Sequence, residues 1–127
     1  MTISSYRDLT VWQKGMELAE ICYQLTRQFP REEMFGLTSQ IRRAAVSIPA
    51  NIAEGWGREG TQEYIHFLRI AQGSLKELET HLILSQRVGI AAEKIVSPAL
   101  GLCDEVGRMM RSLIGSLLRK LSGGVRE

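Results

Sequence analysis

Seven residues, Tyr64, Leu68, Ala71, Leu75, Leu78, Leu82 and Ser85, recur at alternating intervals of four and three over three heptads. An α-helix turns once every 3.6 residues, so this spacing puts all of them on one face. A sustained 4-3 alternation is the seam of a left-handed bundle, whose helices must cover one another's apolar stripes. The chain has the partners this seam needs. Phe29-Pro30, Gly55-Trp56-Gly57 with Gly60-Thr61, and Val88-Gly89 divide it into four segments. The residue before a proline avoids helical geometry, and glycine releases the backbone into turns.

All four segments read as helices. The first starts at Asp8 or Thr10 and ends at Gln28, with Thr10 and Gln13 spaced as a capping box. It turns Leu18, Ile21, Cys22, Leu25 and Phe29 inward. The second covers residues 36–55, with Leu37, Ile41, Ala44, Ala45, Ile48 and Ile52 inside. Pro49 lies within it and predicts a kink that frees the Ala45 carbonyl. The third covers residues 61–88, with Thr61 as its cap. The fourth covers residues 92–121, or starts at Ser97-Pro98 with the proline in its first turn. These segments and their short connections predict an all-α, antiparallel up-down-up-down four-helix bundle occupying residues 1–121. Residues 122–127 are expected to form a flexible tail.

At 127 residues, the chain can bury a core without disulfides or metal. A content of 44% hydrophobic and 24% charged residues fits a folded domain and excludes disorder. Cys22 and Cys103 lie among apolar residues and no signal peptide is visible, so reduced thiols in the cytoplasm are expected. No apolar run approaches the ~20 residues of a membrane span.

Two apolar stripes mark the fourth helix. Ile95, Ala99, Leu102, Val106, Met109, Leu113 and Leu117 form one. Val96, Leu100, Cys103, Met110, Ile114 and Leu121 form the other. A bundle helix needs a single stripe. Ile70 and Leu84 also fall away from the third helix's seam. This surplus predicts self-association, with Ile70, Leu84, Leu100, Met110 and Ile114 at the interface between copies.

Catalytic signals are weak. His66 and His81 are the only histidines, and they fall on different sides of one helix. Glu77 and His81 are spaced to pair, but the spacing is four and not the three of di-iron bundles, and it occurs once. Gly55, Gly57 and Gly60 follow a helix and precede no Gly-Lys-Ser/Thr, so they form no phosphate loop. No Ser or Cys has a plausible base beside it. The reading is of a non-enzyme with no cofactor and no metal.

Charge is more suggestive than chemistry. The net charge is only +2, but Gln62, His66, Arg69, Gly73, Lys76 and Thr80 share a stripe opposite the seam that holds no acid. Arg42 and Arg43 add a basic pair on the second helix. Such cations can contact phosphates, or they can form a solvated face neutralised by Glu63, Glu77 and Glu79. The same two readings apply to Arg108, Arg111, Arg119, Lys120 and Arg126: phosphate contacts, or complements to a helix C-terminus. Ser47, Asn51 and Glu54 form a polar row near Pro49, either satisfying backbone groups there or forming a ligand site.

Two long runs resemble a known family. They are residues 36–55, GLTSQIRRAAVSIPANIAEG, and residues 70–82, IAQGSLKELETHL. With Tyr6-Arg7-Asp8-Leu9 and Val11-Trp12, they resemble the bacterial four-helix bundle family encoded in intervening sequences of large-subunit ribosomal RNA genes. The resemblance implies homopentameric rings. It also implies kinship with the accessory variability protein of diversity-generating retroelements, a basic bundle that binds nucleic acid and a reverse transcriptase. Arg42, Arg43 and Lys76 lie inside the matching runs, and Arg69 lies just outside. The expected partners are therefore a second copy, RNA or DNA, and a nucleic-acid-processing protein. The alternative is a protein-binding scaffold that touches no nucleic acid.

Overall fold

The structure, a computed structural model, describes residues 2–126, with side chains through residue 123. A 3-10 turn at Tyr6–Asp8 leads into α1 (Thr10–Thr26). A second 3-10 turn, Arg31–Glu33, precedes α2 (Leu37–Trp56), α3 (Thr61–Arg87) and α4 (Glu93–Arg126). The described residues hold no strand, and the fold is an all-α four-helix bundle.

Helix starts differ from the sequence reading in an instructive way. Thr10 and Thr61 are the first residues inside their helices and do not cap them; the caps are Leu9 and Gly60, which offer no side-chain acceptor. The capping box lies earlier. Ser5 Oγ accepts from Arg7 N at 3.1 Å, and Asp8 Oδ2 accepts from Ser5 N at 3.2 Å. It therefore stabilises the 3-10 turn that feeds α1. At the start of α2, Glu33 Oε1 accepts from Leu37 N at 3.1 Å, which satisfies one of the orphan donors of a helix start. Helix α4 begins at Glu93, so Pro98 is interior and not a first-turn residue. Its C-terminus continues to Arg126, past the expected boundary at Leu121.

Each helix packs on two others: α1 on α2 and α4, and α3 on α2 and α4. Named contacts give the directions. Gly15 approaches Pro49 while Thr26 reaches Arg42, so α1 and α2 run oppositely. Ser47 meets Ser74 while Gly55 meets Phe67, so α2 and α3 do as well. Gly55 makes the second contact possible. A Cβ there would lie 2.9 Å from Phe67 Cβ and 3.1 Å from the Tyr64 carbonyl oxygen. The α3–α4 connection turns through Gly89, whose φ of +80° lies in the region that favours glycine.

One continuous core results. In α3 the buried line is Ile65, Leu68, Ala71, Leu75, Leu78, Leu82 and Ser85. Ile65 takes the place expected for Tyr64, which is half-buried with its ring edge-on to Trp56. In α1, Val11 and Ala19 join the core and Ile21 is only half-buried.

The two stripes of α4 resolve into one seam taken from both: Val96, Ala99, Cys103, Val106, Met110 and Ile114. Packed between α1 and α3, α4 points the line midway between its stripes at the bundle axis. Residues of the first stripe then flank the core, and Met109 and Leu113 line a shallow groove with Leu9 and Val11. Met110 and Ile114 are therefore core residues of a single chain and cannot form an interface between copies. Leu100 is half-buried, while Ile70 (40%) and Leu84 (43%) are exposed.

Candidate nucleic-acid interface

The outer stripe of α3 is wholly solvent-facing: Gln62, His66, Arg69, Gly73, Lys76 and Thr80 are all exposed. The reason is geometric, since these positions lie opposite the buried seam. Among the described residues, Arg69 has no hydrogen-bond or ion-pair partner. Lys76 pairs with Glu79 at 3.1 Å, yet its side chain remains 71% exposed. An exposed pair of this kind holds its cation weakly and leaves it available to a phosphate.

Arg42 and Arg43 are adjacent in sequence but do different things. Arg42 Nε donates to Thr26 Oγ1 at 2.9 Å, and its guanidinium carbon sits 4.6 Å from the centre of the Tyr23 ring. It ties α2 to the end of α1. Thr26 is held in turn by donating its hydroxyl to the Cys22 carbonyl at 2.6 Å. Arg43 is exposed and has no such tie. One helical step of 100° separates the two, which turns Arg42 toward α1 and Arg43 outward. The four basic candidates therefore fall into two groups: Arg69 and Lys76 on the outer stripe of α3, and Arg42 and Arg43 on α2, where Arg42 leans on α1 and Arg43 points outward while both border one open groove.

The basic residues late in α4 are partly committed. Arg108 pairs with Asp104, and Arg119 Nη2 reaches Ser116 Oγ at 3.3 Å. Arg111 and Lys120 are exposed, and the side chain of Arg126 lies outside the described residues.

The polar row splits. Asn51 Nδ2 donates to the Ser47 carbonyl at 2.8 Å and to Ser47 Oγ at 2.9 Å, and Ser47 Oγ lies 2.8 Å from Ser74 Oγ. Ser47 thus joins α2 to α3, and Asn51, bonded only within α2, holds the Ser47 hydroxyl in place. Asn51 serves the Ser47 carbonyl and not that of Ala45, although Pro49 removes the N–H that would reach Ala45; α2 nevertheless remains helical through the proline. Glu54 takes no part and pairs with Arg58 at 2.7 Å.

His81 Nε2 comes within 3.7 Å of Glu77 Oε2, beyond hydrogen-bond range, and this buried nitrogen has no partner. No three His, Cys, Asp or Glu side chains among the described residues gather to hold a metal ion. Cys22 and Cys103 are free and buried. Burial pushes the Cys22 thiol up to about 12 and raises that of Cys103 as well. Both are therefore protonated at neutral pH, and a thiol nucleophile needs the opposite shift. No described helix is long and apolar enough to cross a membrane.

One feature escaped the sequence reading. Phe35 is 94% exposed at the corner before α2 and, with Met34, Tyr23 and Val46, borders an open groove that also contains Arg42 and Arg43. Its signal was an aromatic residue in a connection, off every apolar stripe.

The sequence profile of the 23S rRNA-intervening sequence proteins matches residues 7–112, from before α1 to well into α4. The chain belongs to the 23S rRNA-intervening sequence protein family. All four basic candidates and Phe35 lie within the part of the chain that defines membership, and Arg119 lies beyond it. The fold is similar to the 1.70 Å crystal structure of a protein of unknown function from the S23 ribosomal protein family of Bacteroides thetaiotaomicron VPI-5482. The TM-score is 0.75 at 25% identity, covering 83% of this chain and 98% of that one. Comparison with curated proteins gives no match. This family member thus shares its helical framework with a protein of unknown function.

Proposed function

We propose that this protein is a non-enzymatic, self-associating bundle that binds RNA or DNA through its basic helix faces. The observation that carries the reading is the α3 outer stripe, which is exposed along its length, holds Arg69 and Lys76, and contains no carboxylate. Arg43 adds a second free cation on α2. Arg42 belongs to the fold and contributes its charge from a fixed position. In a ring each of these charges is repeated, which strengthens the field that a polyanion meets. Exposed Ile70, Leu84, Ile83 and Val88 supply apolar surface for contacts between copies.

Gel mobility of structured RNA and duplex DNA at two salt concentrations tests this, with the mass of the assembly taken on the same sample. Binding should weaken with salt by about 0.9 log units per decade for each phosphate contacted on duplex DNA. Arg69→Gln and Arg43→Gln should each reduce that slope. Binding that ignores salt overturns the electrostatic reading. A second reading, a protein scaffold, draws on the same exposed apolar residues. An assembly that binds no nucleic acid even at low salt would support it.

A further inference from the structure

We propose that the open groove along the first half of α2, bordered by Tyr23 and the Phe35 corner, holds an unpaired nucleobase and its adjoining phosphate, so that the preferred ligand is single-stranded RNA or DNA. This rests on the nucleic-acid reading above and adds the class of strand and the site.

Four observations carry it. Phe35 presents nearly its whole side chain to water, and none of the described residues covers it. Placing a large apolar ring in solvent is unfavourable, and Phe35 contributes nothing to the core in return. Second, Arg42 is pre-positioned. Thr26 and the Tyr23 ring fix its guanidinium, two of its five donors are engaged, and the remaining donors have no carboxylate to meet. Third, the groove is lined by two arginines and no acid. The nearby Glu33 has its carboxylate turned to the α2 N-terminus, where Leu37 N donates to it. Fourth, the groove, at about 640 Å³, is of a size that holds small-molecule ligands.

A flat apolar ring beside uncompensated guanidinium groups matches a base next to a phosphate. Single-stranded sites combine these same elements, aromatic faces for bases and a basic track for the backbone. Base pairs within a duplex are stacked on one another and offer no face to Phe35, so the exposed ring selects the single strand. An acidic peptide would satisfy the arginines but has no need of an aromatic platform.

The test uses fluorescence anisotropy with three labelled probes: a uridine-only RNA strand, a strand of equal length with abasic sugars, and a duplex. The wild type should bind the uridine strand most tightly. Phe35→Ala should weaken that complex about tenfold and leave the abasic strand and the duplex unaffected. Phe35→Leu, which keeps apolar bulk without a π face, should behave like the alanine variant. Since Phe35 packs against nothing in the core, the variants should melt with the wild type. Equal binding of all three probes by wild type and Phe35→Ala overturns this inference and leaves the broader reading intact. No binding of any probe at low salt overturns both. A change in assembly mass with Phe35→Ala shows that a second copy occupies the groove and overturns the proposal. Displacement of the uridine strand by polyglutamate as effective as by unlabelled strand also overturns it, since charge alone would then suffice.

Discussion

The hydroxyls of Ser47 on α2 and Ser74 on α3 meet at 2.8 Å, and Asn51 Nδ2 also donates to the Ser47 oxygen at 2.9 Å. Among the described residues it is the side-chain hydrogen bond that links α2 to α3. Ser74→Ala removes one partner and should cost about 1 kcal/mol in urea unfolding. Ser47→Ala strips both Ser74 and Asn51 of a partner and should cost more. The double variant should cost less than the sum of the two, since the residues share one bond.

Two glycines in the same pair of helices should respond oppositely to alanine. At Gly55 the new methyl group would meet Phe67 and Tyr64 at 2.9–3.1 Å, two of those contacts being backbone or Cβ atoms that cannot swing aside. Gly55→Ala should destabilise by about 1–3 kcal/mol despite alanine's better helix propensity. Gly73 has open space around its Cβ position and lies mid-helix, so Gly73→Ala should stabilise by up to about 1 kcal/mol. Thermal melts of both variants check the contrast.

Arg42 and Arg43 should differ in what they contribute to stability. Arg42→Lys replaces the planar guanidinium, which bonds Thr26 while lying over the Tyr23 ring, with a single-point ammonium that cannot hold both contacts at once, and should lower stability by about 1 kcal/mol. Arg43→Gln touches neither, so it should stay within about 0.5 kcal/mol of wild type, and under the proposed function it should weaken RNA binding in the gel assay.

Met110 and Leu84 both lie off a simple apolar seam in the sequence, but they should respond differently to substitution. Met110→Ala empties core volume and should cost about 2–5 kcal/mol at any protein concentration. Leu84→Ser alters an exposed position and should leave the monomer's stability nearly unchanged; if copies associate through this face as proposed, it should also lower the mass read by light scattering.

The buried thiols set a pH dependence. The ordinary value is 9.0, and Cys22 in the fold ionises only at about 12. Between these limits the unfolded chain releases protons that the folded chain retains, so stability should fall as pH rises from about 9 to about 12. Cys22→Ala should flatten that part of the curve. Native labelling of either thiol by a disulfide reagent should be slow and limited by unfolding.

The period of the apolar residues and the positions of proline and glycine were enough to read the four helices and most of their core, because helical periodicity is a local property. The exposed α3 stripe was legible for the same reason: opposite the seam means outside. Everything that depended on a neighbouring helix was not. Which of the two α4 stripes faced inward was decided only when α1 and α3 packed on either side, and the answer drew on both. Arg42 and Arg43 look equivalent in sequence, yet Thr26 and Tyr23, sixteen and nineteen residues before Arg42, capture one and leave the other free. The groove beside Phe35 likewise exists only because the connection between α1 and α2 turns that ring outward beside two arginines. Contacts between helices join residues distant in the chain, and no local pattern encodes which of them will meet.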